Sequence, residues 1–152
     1  MDSHESQPRP RMSAKFKPYA ALIELEKSLG ETSLSLGLRN LMKIRASQLN
    51  GCAYCVNSHT EEALENGEDL HRITLLTVWP ESQVYTPAEK AALRLTEAVT
   101  YISEEGVPED LYEEVLEHYT KDQYLELLAV IFTINAWNRI GVGTGLHPVI
   151  HK

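Results

Sequence analysis

Residues 120 to 137, TKDQYLELLAVIFTINAW, constrain the fold of this chain more than any other stretch. Thr120 and Gln123 have the spacing of a capping box, in which a threonine hydroxyl and a glutamine side chain satisfy amides at the start of a helix. Past that start, Leu125, Leu127, Leu128, Val130, Ile131, Phe132, Ile134 and Trp137 leave a helix apolar over most of its circumference. Such a helix, expected over about 121 to 140, has to be buried on all sides, in a core or a subunit interface. Its most apolar run, LLAVIF, is far shorter than the roughly 18 uninterrupted residues that cross a bilayer, so it reads as a core helix and no membrane association is expected.

The rest of the chain supplies helices to surround it. FKPYAALIELEKSLG (16 to 30) sets Tyr19, Leu22, Ile23 and Leu25 near helical spacing, with Gly30 as a stop. Ser33 or Ser35 caps a second helix, which Asn50-Gly51 breaks. A third begins at or near Cys52 and ends at Asn66-Gly67, a pair suited to a left-handed C-cap. Thr86-Pro87-Ala88-Glu89 joins a capping box to proline at the first helical position and announces a helix over about 87 to 102. A shorter helix follows Pro108. No segment alternates with period two between hairpin turns, so the expectation is an all-α fold without a sheet.

At 152 residues and 43% hydrophobic, the chain is the size of one domain and can bury a core without disulfide staples. Residues 15–147 are expected to form that domain, with a disordered polar tail over 1–14 and a short tail over 148–152. The tail MDSHESQPRPRM has no basic start leading into an apolar run, and a cytoplasmic protein is expected. A net charge of -8 repels phosphate backbones and anionic lipid, so nucleic acid is not an expected partner.

With just two cysteines there is no secreted disulfide framework, and both lie in GCAYCVNSH, residues 51 to 59. At about 100° per residue, Cys52, Cys55 and His59 fall within an arc of roughly 60° on one helix face. A helix start favours thiolate over thiol through its unpaired amides and the positive end of its dipole. Cys55 is then the candidate nucleophile, Cys52 the thiol that captures its oxidised form, and His59 the proton carrier one turn on. Two other readings compete: buried cysteines of no chemical consequence, and a zinc site. The zinc reading needs a fourth ligand such as His71, and no second CxxC or HxxxH is present, so no metal and no cofactor are expected. His118, His147 and His151 read as solvated histidines, and Tyr54, Trp79 and Trp137 as packing residues.

LMKIRASQLNGCAYCVNSHTEEALENG (41 to 67), VWPESQVYTPAEKAAL (78 to 93) and INAWNRIGVG (134 to 143) together resemble the AhpD-like alkylhydroperoxidases of the carboxymuconolactone decarboxylase superfamily. The resemblance covers about 16 to 145. It implies a helical bundle assembled as a trimer or hexamer. It also implies that Cys55 attacks a hydroperoxide, that Cys52 closes a disulfide, and that a thiol or lipoyl-type donor reopens it. The alternatives are a protein disulfide reductase or redox relay with incidental peroxidase activity, and a non-catalytic redox-sensing oligomer. One position departs from the family pattern: the relay glutamate twelve residues before the first cysteine is Asn40 here. An asparagine amide cannot take up a proton at neutral pH, so a slow peroxidase is expected, with Glu24 or Glu26 as possible stand-ins.

Overall fold

The computed structural model describes residues 7–149, and among them it is all-helical. The elements are α1 (Lys17–Ser28), α2 (Leu36–Leu49), α3 (Ala53–Glu65), α4 (Leu70–Thr74), α5 (Pro87–Thr100), α6 (Ile102–Glu105), α7 (Glu109–Leu116) and α8 (Lys121–Gly143). The expected signals operate as written. The Ser35 hydroxyl accepts from the Leu38 amide, and both capping boxes, at Thr86 and Thr120, are formed. Each such cap contributes about 1 kcal/mol to its helix. Not foreseen are α4 and the 3-10 turn Leu75–Glu81 that follows it, too short for periodicity to register and interrupted by Pro80.

α2 is the central element, packed against α3, α5 and α8. Leu38 and Met42 reach one apolar cluster with Leu95, Val115, Leu127 and Ile131, while Leu41 and Ile44 reach a second with Leu76, Trp79 and Leu93. Between those two faces α2 buries a polar line, Asn40, Lys43 and Ser47, spaced i, i+3, i+7. Lys43 and Ser47 of that line reach groups around the candidate site, Glu26 and Asn138.

α8 departs from all-round burial within the single chain. Leu127, Val130, Ile131 and Ile134 lie on the core face, but Leu125 and Phe132, seven residues apart on the opposite side, are 63% and 52% exposed. At 23 residues α8 is long and apolar enough by composition to cross a membrane. Its polar groups tie it instead to its neighbours: Glu126 accepts from the Ser33 amide and hydroxyl, and Asn138 is wholly buried against α2.

The terminal segments meet at the end of α8. Arg9 donates to the Val142 and Gly143 carbonyls, and Arg11 to that of Thr144, so cationic side chains meet the carbonyl end of the helix, where its dipole is negative. Residues 1–6 of the expected N-terminal tail, and 150–152 of the C-terminal one, lie outside the described residues.

Candidate active site

The link between α2 and α3 is held from both sides. Asn50 donates to the side-chain oxygens of Asn135 (3.0 Å) and Asn138 (2.9 Å), and Asn138 donates to the Ser47 hydroxyl at 2.9 Å. Gly51, at φ +65°, then takes the left-handed turn that an L side chain resists. The turn delivers Cys52 to the N-cap of α3, where its sulfur accepts from the Cys55 amide at 3.3 Å. The two Cα atoms are 5.3 Å apart and the sulfurs are bonded as a disulfide. Both cysteines are almost wholly buried, at 2% and 4% exposure.

α8 roofs the disulfide with a glycine. A Cβ built on Gly141 would stand 2.7 Å from the Cys52 sulfur and 3.4 Å from that of Cys55, so only a residue without a side chain allows this approach. Gly141 also stands between two cavities, one at each cysteine.

On the Cys55 side is a cavity of about 280 Å³ lined by Tyr19, Glu26, Tyr54, His59 and Trp137. Behind it Lys43, 3% exposed, forms an ion pair with one Glu26 oxygen, and the other Glu26 oxygen accepts from Trp137 Nε1 at 3.1 Å. Trp137 is set in turn by an edge-on contact with Tyr19. Burial lowers the His59 pKa from its ordinary value, Lys43 lowers it further, and Glu26 and Glu62 oppose the shift. The imidazole is therefore neutral near pH 7 and free to take a proton. Its Nδ1 is 3.5 Å from a Glu62 oxygen, too long for a good hydrogen bond.

The two stand-in glutamates separate clearly. Glu24 is 71% exposed and pairs with Lys27 in solvent, whereas Glu26 is aimed into the cavity that holds Cys55 and His59. Asn40 is 1% exposed, and neither of its amide atoms has a hydrogen-bond partner among the described residues. It sits one turn before Lys43 on α2.

On the Cys52 side a larger cavity, about 820 Å³, is lined by Arg9, Arg11, Gly51, Gly141 and His147. Cys55 and His59 thus share one cavity, while Cys52 faces the larger one and also a third, of about 460 Å³, beside Ser47 and Val56. His71, the candidate fourth zinc ligand, is exposed on α4, and among the described residues no His, Cys, Asp and Glu side chains cluster as a metal set. His118 is exposed, Tyr54 is 42% exposed at the cavity, and Trp79 packs beneath a hydrogen bond to Glu97. His151 is outside the described residues. Sequence reasoning passed over Lys43 and Gly141. Each left a signal: a lysine between Met42 and Ile44 on an apolar face, and a glycine inside an apolar helix, which marks a close approach.

The family model for carboxymuconolactone decarboxylase matches residues 17–98, a span holding Glu26, Asn40, Cys52, Cys55 and His59. The uncharacterized protein YdfG of Bacillus subtilis (strain 168) is 44% identical over 124 residues, 82% of this chain and 84% of YdfG. A crystal structure of a protein of unknown function from Agrobacterium tumefaciens, proposed as an antioxidant defence protein AhpD, is 39% identical. It superposes with a TM-score of 0.86 over 92% of this chain and 99% of its own. An uncharacterized peroxidase-related protein from Ralstonia eutropha JMP134, with an alkylhydroperoxidase AhpD core, is 22% identical. It covers 90% of this chain and 74% of its own at a TM-score of 0.77, which speaks for the fold alone.

Proposed function

Because this chain belongs to the carboxymuconolactone decarboxylase family, as an AhpD-like member, we propose that it is a thiol-dependent peroxidase that reduces organic hydroperoxides through Cys55 and Cys52. The observation that carries the reading is the Cys52–Cys55 pair at the start of α3, with the sulfur of Cys55 opening into the cavity of His59 and Glu26.

In the reduced protein, Cys55 gives its proton to His59 or to Glu26 through water, and its thiolate attacks the terminal oxygen of ROOH. The S–O bond forms, the O–O bond breaks, and the departing alkoxide takes the proton and leaves as ROH. Cys55 is now a sulfenic acid. The Cys52 thiolate attacks the Cys55 sulfur, the S–S bond closes, and hydroxide departs with a proton as water. The peroxide gains two electrons and the cysteine pair loses two. A thiol or dithiol donor must return them, which suits a reducing cytosol.

Glu26 is the carboxylate of this scheme. Once it is protonated, Lys43 keeps its charge and the Cys55 thiolate replaces Glu26 as its counter-charge, so the cavity's net charge is unchanged. Asn40 then need not take up a proton. The outward apolar line of Leu125 and Phe132 supports a homo-oligomer, a trimer or hexamer, with α8 at the contact. Light scattering that reports a monomer at micromolar concentration would remove that part.

The direct test is steady-state consumption of cumene hydroperoxide with a dithiol donor. Turnover is expected in the wild type and not in Cys55→Ser. Disulfide exchange with a protein client in the absence of peroxide turnover would favour the redox-relay alternative.

A further inference from the structure

The larger cavity, at Cys52, has a composition at odds with the rest of the molecule. The chain carries a net charge of -8, yet among the described residues the lining includes Arg9, Arg11 and His147 and no aspartate or glutamate. The arginines are exposed, but contacts place each of them. Arg9 lays its alkyl chain on Gly145, where a Cβ would stand 3.3 Å from Arg9 Cδ, and points its guanidinium at the α8 carbonyls. Those bonds use one terminal nitrogen of Arg9 and one of Arg11, which leaves further N–H donors on each guanidinium.

We propose that this cavity is the reductant site and that it selects thiols or dithiols bearing an anionic group, a carboxylate above all. This rests on the reading of Cys52 and Cys55 as a redox couple. A donor thiolate entering here meets the Cys52 sulfur. The donor–Cys52 bond forms, the Cys52–Cys55 bond breaks, and Cys55 leaves as a thiolate. Cys55 is the better leaving sulfur because its cavity holds Glu26 and His59, with Lys43 behind Glu26, to receive the charge and the proton, and a more acidic thiol leaves faster. The donor's second thiolate then attacks the donor sulfur of the mixed disulfide. The donor closes its own disulfide and Cys52 departs, protonated by solvent. Two electrons pass from donor to protein.

Dihydrolipoate and dihydrolipoamide are a matched pair of probes, the same dithiol with a carboxylate or a neutral amide. Reduction of the oxidised protein by each, without peroxide, is followed by counting free thiols in quenched samples. The wild type should be reduced faster by dihydrolipoate, by about three- to tenfold at low salt, the effect of one or two modest ion pairs. Half-molar salt should erase most of that preference. In Arg9→Gln/Arg11→Gln the ratio should fall to about one or below, since the protein's overall charge then repels the carboxylate. Arg9→Lys/Arg11→Lys should keep the preference, and so should Lys27→Gln, at an exposed pair on α1. A wild-type ratio of one or less overturns the proposal, as does loss of preference in the lysine double variant or an equal loss in Lys27→Gln. If neither dithiol reduces the protein, the redox couple falls and this site with it; equal reduction by both removes the site alone.

Discussion

The two cavities that meet at Gly141 over the disulfide are built in opposite ways. The Cys55 cavity is walled by core helices: Glu26 from α1, Lys43 behind it on α2, His59 from α3 and Trp137 from α8, each held by another side chain or by burial. The Cys52 cavity is nearly three times as large, about 820 against 280 Å³, and its charges, Arg9 and Arg11, come from the N-terminal segment. A small, rigid, charge-balanced space suits proton transfer to a small oxidant, because catalytic groups must be within hydrogen-bond reach. A roomy one with cationic walls suits a bulkier partner that has to come and go. Gly141 is the partition between them.

The comparison breaks most decisively at the cysteines. Cys55→Ser should lower peroxide turnover by about 10³-fold or more, since the nucleophile is gone. Cys52→Ser should instead consume a single equivalent and accumulate oxidised Cys55, visible by mass spectrometry as added oxygen. Equal behaviour of the two variants would mean that the two sides do not have separate roles.

Next in size is Glu26→Gln, which keeps shape and removes the base. A loss of about 10²-fold in the rate of Cys55 oxidation is expected near neutral pH, the usual contribution of a general acid–base group. The variant also strands the Lys43 ammonium in the interior, at a cost of about 3–5 kcal/mol. Glu26→Gln combined with Lys43→Met removes that unpaired charge, so stability should recover while the rate does not. Recovery of both would reduce Glu26 to a structural partner of Lys43. Glu24→Gln, in solvent, should leave the rate within about twofold.

Gly141→Ala tests the partition. Its methyl group meets the Cys52 sulfur, and the expected cost is about 1–3 kcal/mol, a drop of several degrees in Tm measured by calorimetry. An unchanged Tm would show that α8 can withdraw from the disulfide without penalty.

Asn40→Glu should be quieter in rate. From sequence alone it was expected to complete the relay and speed turnover. With Glu26 already on Lys43, a second carboxylate is redundant, and the rate should move by no more than about twofold while the buried charge lowers stability. A rise of tenfold or more would restore position 40 as the limiting one.

The smallest effect is in pH dependence. His59 has a folded pKa below its ordinary 6.5, so the unfolded chain binds more protons in that range. Stability should therefore fall as pH drops below about 6.5 and level off beneath the folded pKa. The charged groups facing the imidazole are Lys43 from α2, Glu26 from α1 and Glu62 from its own helix, and Lys43→Met should raise the His59 pKa, read by NMR of the ring protons. His59→Gln should flatten that limb of the stability curve.

Local chemistry wrote much of this plainly in the sequence. Ser35, Thr86 and Thr120 act on amides three residues away, so the helices they start could be read without knowing the fold. Gly51 and the i, i+3 spacing of Cys52 and Cys55 likewise determine, within one turn, that the two sulfurs can meet. Within the single chain the core covers one side of α8, because periodicity records which residues are apolar and not whether a core or a subunit contact covers each side. What the tertiary structure alone decided is which carboxylate reaches the site. Glu24 and Glu26 are two residues apart on one helix, near-equivalent in sequence, but about 200° apart around its axis. Only the docking of α1 against α8 turns Glu26 inward to Lys43 and Trp137 and leaves Glu24 in water. The division of the disulfide between two cavities has the same origin: it requires Gly141, 89 residues beyond Cys52, to lie against both sulfurs, a contact that no local rule encodes.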